Sequence, residues 1–109
     1  MKLKDTSLLR QQCYIDGQWV DADSKRAIDV VNPASGERLG TVPNTGKDEA
    51  HRAIEAAARA FPAWAARTAK DRGNILRRWS DLMLANQEDL ATLMTAEQGK
   101  PLAESKGEI

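Results

Sequence analysis

The spacing of apolar residues changes character near residue 46. From Cys13 to Thr45 the stretch CYIDGQWVDADSKRAIDVVNPASGERLGTVPNT alternates short β-branched or aromatic runs with turn residues, which predicts two hairpins within residues 13–45. In the first, Tyr14 and Ile15 lead into Asp16-Gly17, a dipeptide suited to positive backbone φ, and Trp19 and Val20 return. In the second, AIDVV enters NPASGE, where Pro33 presets a turn and Gly36 relaxes it, and RLGTVP leaves. Two isolated hairpins have little stability in water and need helices or a larger sheet to lie on.

Residues 47–109 read as helix. In KDEAHRAIEAAARAF, Ile54, Ala57, Ala58 and Phe61 fall at i, i+3, i+4 and i+7, one apolar stripe expected to end at Pro62. Thr68 followed by Asp71 resembles a capping box, after which Ile75, Trp79, Leu82 and Met83 repeat the stripe. A third helix, in QEDLATLMTAEQGK, carries Leu90, Leu93 and Met94 inward, has acidic residues in its first turn, and stops at Gly99, suited to a left-handed C-terminal position. Pro101 is placed like a first-turn proline for a fourth helix, which the chain leaves with less than two full turns. The order is hairpins first, then three to four helices, with no repeat, linker or low-complexity tract.

Composition narrows the classes. With 41% hydrophobic and 29% charged residues in 109, the chain fits one soluble domain. Sixteen basic residues balance sixteen acidic ones, so no charge excess recruits nucleic acid or an acidic membrane surface. The single cysteine, Cys13, excludes an internal disulfide framework. The start MKLKDTSLLRQQCYIDG lacks the apolar run of a secretory signal, which makes the cytoplasm the expected compartment. No segment approaches the roughly 20 apolar residues of a membrane span.

Candidate chemistry is sparse. GTVPNTGKD approaches a phosphate loop, but five residues separate Gly40 from Gly46 where that motif needs four, and Asp48 replaces the magnesium-binding hydroxyl. Cys13 has no sequence-local base and reads as a packing residue, while His51 reads as solvated on a polar helix face. Glu97 and Glu104 bracket QGKP without being aimed at one point, and Arg72, Arg77 and Arg78 are balanced by Asp71 and Asp81. The residues alone point to no catalytic, cofactor-binding or metal site.

Five stretches, YIDGQWVDA, VVNPASGERLGTVP, DEAHRAIEAAARAFPAW, RGNILRRWSDLM and EQGKPLAESKGEI, resemble in order and spacing the amino-terminal region of the aldehyde dehydrogenase superfamily. The leader LKDTSLLRQQCYIDGQW and the ending LMTAEQGKPLAESKGEI are similar to NAD(P)-dependent succinate-semialdehyde dehydrogenases, and glutarate-semialdehyde dehydrogenases look nearly the same. The resemblance implies an α/β fold with a Rossmann-type cofactor domain, of which residues 1–109 are an incomplete amino-terminal part, hairpins 13–45 and helices 47–109.

It further implies that the helix opened by PLAESKGEI continues, and that the family's nucleophilic cysteine, glutamate base, oxyanion-stabilising asparagine, cofactor turn and oligomerisation strand lie in later sequence. Cys13 matches none of these positions. NAD or NADP, a small aldehyde substrate and a homo-oligomer are then expected of the full-length enzyme, with no cofactor on this segment, no nucleic acid and no membrane. A monovalent cation held in many members would correspond here to the carbonyls of Val30 and Val31 and to Glu108. Within the segment, Trp19, Ile54, Phe61, Ile75, Trp79 and Leu93 are expected to cover the cofactor domain. The alternative is a standalone helical interaction module that binds a full-length relative through its apolar face.

Overall fold

The computed structural model describes all residues, 1–109. The order is a 3-10 turn (Thr6–Leu8), β1 (Cys13–Ile15), β2 (Gln18–Val20), β3 (Ala27–Val31), β4 (Arg38–Pro43), α1 (Lys47–Ala65), α2 (Ala69–Ala85), α3 (Gln87–Gln98) and α4 (Leu102–Glu108). Both predicted hairpins and four helices are present. No helix is long and apolar enough to cross a membrane. The chain divides into two compact units, residues 11–28 with 41–75, and residues 1–10 with 29–40 and 76–109, so that β3, β4 and α2 each contribute to both.

In the first unit β1 and β2 are antiparallel, with Tyr14 opposite Trp19 and Cys13 opposite Val20. Asp16 and Gly17 take φ of 52° and 77°, the left-handed pair that a two-residue turn demands. The Tyr14 and Trp19 rings meet at 5.1 Å between centroids on the exposed face, while Cys13, Ile15 and Val20 are half-buried. Helix α1 packs against β1. It begins at Gly46, whose N–H donates to Glu49 Oε2 at 3.1 Å. Glycine has no side chain to reciprocate, so this is half of a capping box.

One boundary of α1 departs from the sequence-based expectation. The helix does not stop at Pro62 but runs to Ala65. Proline removes only the donor to the carbonyl four residues earlier, and its own carbonyl still accepts from Ala66 N–H at 3.0 Å, so the last turn closes beyond it. The face that α1 uses within this chain is a different one from the Ile54–Phe61 stripe. Glu49 is buried and Ala53, Ala56 and Trp64 are half-buried, whereas Ile54 and Phe61 are each 66% exposed. Thr68 Oγ1 accepts from Asp71 N–H at 3.1 Å and starts α2, one half of the expected capping box, and Arg72 steadies the α1–α2 corner by donating to the carbonyls of Ala65 and Arg67.

In the second unit the turn between β3 and β4 is built by Asn32, whose Oδ1 accepts from Ala34 N–H at 2.9 Å, with Gly36 at φ 74°. Helix α3 holds two of the three buried apolar residues of the chain, Ala91 and Ala96; Leu90, Leu93 and Met94 reach only half-burial. Gly99 caps α3 at φ 85°, its N–H donating to Thr95 O at 2.9 Å. Pro101 lies one position outside α4, at its N-cap with ψ 141°, rather than in the first turn. Only seven residues long, α4 is held by α3: Ser105 Oγ and Thr95 Oγ1 are 2.8 Å apart with Ser105 fully buried, and Gln87 Nε2 donates to Lys106 O at 2.9 Å. Lys106 pairs with Glu88, and Lys100 with Glu108.

Candidate functional site

The chain's polar chemistry centres on two buried carboxylates. Glu49, 5% exposed in the first turn of α1, accepts from Asp23 N–H at 2.8 Å and from Gly46 N–H at 3.1 Å. One side chain thereby ties the β2–β3 loop to the start of α1. The Asp23 N–H, the Glu49 backbone N–H and the Gly46 N–H hold the Glu49 carboxyl below the usual glutamate range, against the opposing effect of burial. Arg52, one turn on, donates both terminal nitrogens to Asp23, at 2.8 and 3.0 Å, and Asp23 raises the guanidinium further in return.

Asp89 plays the matching part in the other unit. It is 7% exposed in the first turn of α3 and accepts from Lys4 N–H at 3.0 Å and Asp5 N–H at 2.8 Å. Those two donors, Lys4 first, keep its carboxyl below the usual aspartate range. Neither residue stood out in the sequence. The available signal was position: Glu49 stands three residues after a cap glycine, and Asp89 in an acidic first turn.

Beside α1, a cleft of about 300 Å³ is lined by Ile15, Val20, Arg52, Glu55 and Arg59. Its cations are already committed, Arg52 to Asp23 and Arg59 to Asp16 at 3.1 Å, so it offers no free charge to an anionic ligand.

No nucleophile–base pair is assembled. Cys13 is half-buried at the start of β1, His51 is exposed on α1, and Glu97 and Glu104 are exposed. No group of three or more His, Cys, Asp or Glu converges on a metal-sized space. Of the positions implied for a monovalent cation, Val30 and Val31 lie in β3, and the Glu108 carboxylate is spent on Lys100. What the chain does present is large apolar side chains in the open: Trp19 (42%), Ile54, Phe61, Ile75 (38%) and Trp79 (63%), against a buried apolar set of three alanines. Leu93 is half-buried. Such an arrangement can hold backbone in place and cover something apolar.

Residues 19–109 match the Aldehyde dehydrogenase family. A glutarate-semialdehyde dehydrogenase of Pseudomonas aeruginosa is 65% identical over all 109 residues, which make up 23% of that protein. A succinate-semialdehyde dehydrogenase of Escherichia coli, named for NADP(+), is 62% identical over the same length and share. Among solved structures, an NADP-dependent enzyme of E. coli superposes with a TM-score of 0.96 at 61% identity, covering 98% of this chain and 22% of its own. A succinate-semialdehyde dehydrogenase from Burkholderia pseudomallei gives 0.95 at 57% identity, over 99% of this chain and 22% of its own. The chain thus spans 23% of the length of these curated relatives. With hairpins, helices and identical residues agreeing from one end to the other, the chain belongs to the aldehyde dehydrogenase family.

Proposed function

We propose that this chain is the amino-terminal segment of an NAD(P)-dependent dehydrogenase that oxidises succinate semialdehyde, or a semialdehyde of similar length such as glutarate semialdehyde, to the carboxylic acid. The observation that carries the reading is 62–65% identity over every residue to proteins named for those two substrates. The segment alone is inactive, because it brings together neither a nucleophile with a base nor a phosphate-binding turn.

Its contribution is structural. Trp19, Ile54, Phe61, Ile75 and Trp79, exposed here, together with Leu93, cover a Rossmann-type cofactor domain formed by the rest of the protein. Covering one such side chain contributes roughly 1.5 to 3 kcal/mol. NAD or NADP, when bound there, supplies the hydride acceptor, and the segment's own residues hold the domain in shape around it. The whole protein works as a cytoplasmic homo-oligomer on a small-molecule aldehyde.

The test is to isolate the protein from its source cell with an antibody against Met1–Arg10. The isolate should exceed 12.0 kDa in intact mass and reduce NAD or NADP when given succinate or glutarate semialdehyde. A 12.0 kDa species without that activity overturns the reading, and its co-purification with a longer relative supports the interaction module instead.

A further inference from the structure

The first ten residues, Met1–Arg10, form an arm that belongs to the same unit as α3. Between residues 1 and 9, the hydrogen bonds that leave the arm are the two from Lys4 and Asp5 N–H, and both end on the Asp89 carboxylate. The donors are consecutive amides and the acceptor oxygens are the two of a single side chain 84 and 85 residues away, so one carboxylate grips the arm at two points. Beyond the grip the arm is organised locally. Asp5 Oδ1 accepts from Ser7 N–H at 2.9 Å, and the 3-10 turn closes with Leu8 N–H to Asp5 O and Leu9 N–H to Thr6 O. Leu3, Leu8 and Leu9 are half-buried.

Asp89 is not needed to begin its own helix. Leu90 N–H already donates to Asn86 O at 3.0 Å, Glu88 supplies a second carboxylate to the first turn, and the far end of α3 is held through Gly99 and Ser105.

From this division of labour we infer that Asp89 is a latch, and that residues 1–9 are a strap that opens and closes on α3 as one unit while α3 stays folded. Opening removes both long-range hydrogen bonds at once, because they share one acceptor, and frees Leu3, Leu8 and Leu9 together. The strap is therefore a local-unfolding unit with its own free energy of opening, below that of the helix it lies on.

Amide hydrogen exchange on the protein at its full natural length, resolved residue by residue, tests the inference with two variants. In Asp89→Asn one oxygen becomes a donor that faces a donor, so the amides of Lys4, Asp5, Leu8 and Leu9 should exchange at least about tenfold faster, with Ala91–Ala96 unchanged. Lys4→Pro deletes one donor and leaves Asp89 ionised; it should speed Asp5, Leu8 and Leu9 and again spare α3. Arm amides that keep their wild-type rates in either variant overturn the latch. Acceleration of Ala91–Ala96 in step with the arm in Lys4→Pro overturns the strap's independence, and that variant decides the matter should Asp89→Asn unfold the helix.

Discussion

Replacing Gly99 by alanine strikes two independent features at one atom. Gly99 ends α3 at φ 85°, and a Cβ added there would lie 2.9 Å from Pro33 Cγ and 4.0 Å from Pro33 Cβ. Left-handed backbone costs an alanine about 1 to 2 kcal/mol. The overlap falls on a proline ring whose only internal freedom is its pucker, and forcing an extra carbon into such a contact costs about 1 to 3 kcal/mol. Reduced freedom of the unfolded chain returns about 0.4 to 1 kcal/mol. The net loss for Gly99→Ala is then centred on about 3 kcal/mol. Pro33→Ala removes Cγ and leaves a 4.0 Å approach, which is ordinary contact. In that background Gly99→Ala should cost only about 1 kcal/mol, the strain alone, giving a coupling of about 2 kcal/mol across the cycle. Gly36→Ala is the control, since Gly36 has φ 74° with nothing within 4 Å of its added Cβ, and it too should cost about 1 kcal/mol. Urea denaturation of the wild type, the three single variants and the Pro33→Ala/Gly99→Ala double, followed by far-ultraviolet circular dichroism, measures all the terms. A coupling of zero, or equal losses for Gly99→Ala and Gly36→Ala, refutes the close approach of Gly99 to Pro33.

Acid should weaken the fold through its two buried carboxylates. Each is held below its ordinary value, 4.5 for Glu49 and 3.8 for Asp89, so each contributes stability in full above that value and loses it as pH falls through the lower folded one. The urea midpoint should be level above about pH 5 and drop below it. In Glu49→Gln it should be lower at neutral pH and fall less steeply in acid; an acid profile unchanged by that substitution removes Glu49 as a source. Pro62→Ala restores a donor to the last turns of α1 and should raise stability by about 1 to 2 kcal/mol, read from the same urea transitions, and no gain would mean that the turn is already fully relaxed around the proline.

Local rules carried the elements well, because each rests on a few adjacent residues. Asp16-Gly17, Gly36 and Gly99 take the positive φ their turns require, and Thr68 caps α2. Two boundaries slipped for equally local reasons: a helix tolerates proline near its end, and Pro101 fixes the residue before the first turn of α4 rather than one inside it. The carboxylate ties were not legible. Glu49 and Asp89 are ordinary first-turn acids in sequence, and only the return of Asp23, and of Lys4 and Asp5, to their neighbourhood makes them acceptors. Nothing local encodes a partner 84 residues away.

Periodicity, too, says that a helix face is apolar without saying what covers it. On α1 the stripe Ile54, Ala57, Ala58 and Phe61 is exposed, and the face held by this chain is Glu49, Ala53 and Ala56. The choice is physical: alanines let the hairpin backbone come close, and a carboxylate in the first helical turn accepts N–H groups from a segment that returns to it. Helix α3 repeats the arrangement, burying Asp89, Ala91 and Ala96 while its leucines stay half-open, and α2 buries nothing. Small and polar residues thus fasten the segment to itself, and the large side chains, which would stabilise it most, are left facing outward. A self-sufficient domain of this size would invert that assignment and place Trp79 and Phe61 inside. The distribution is the one expected of a part built to be completed by apolar surface elsewhere, in keeping with a chain that spans 23% of its relatives.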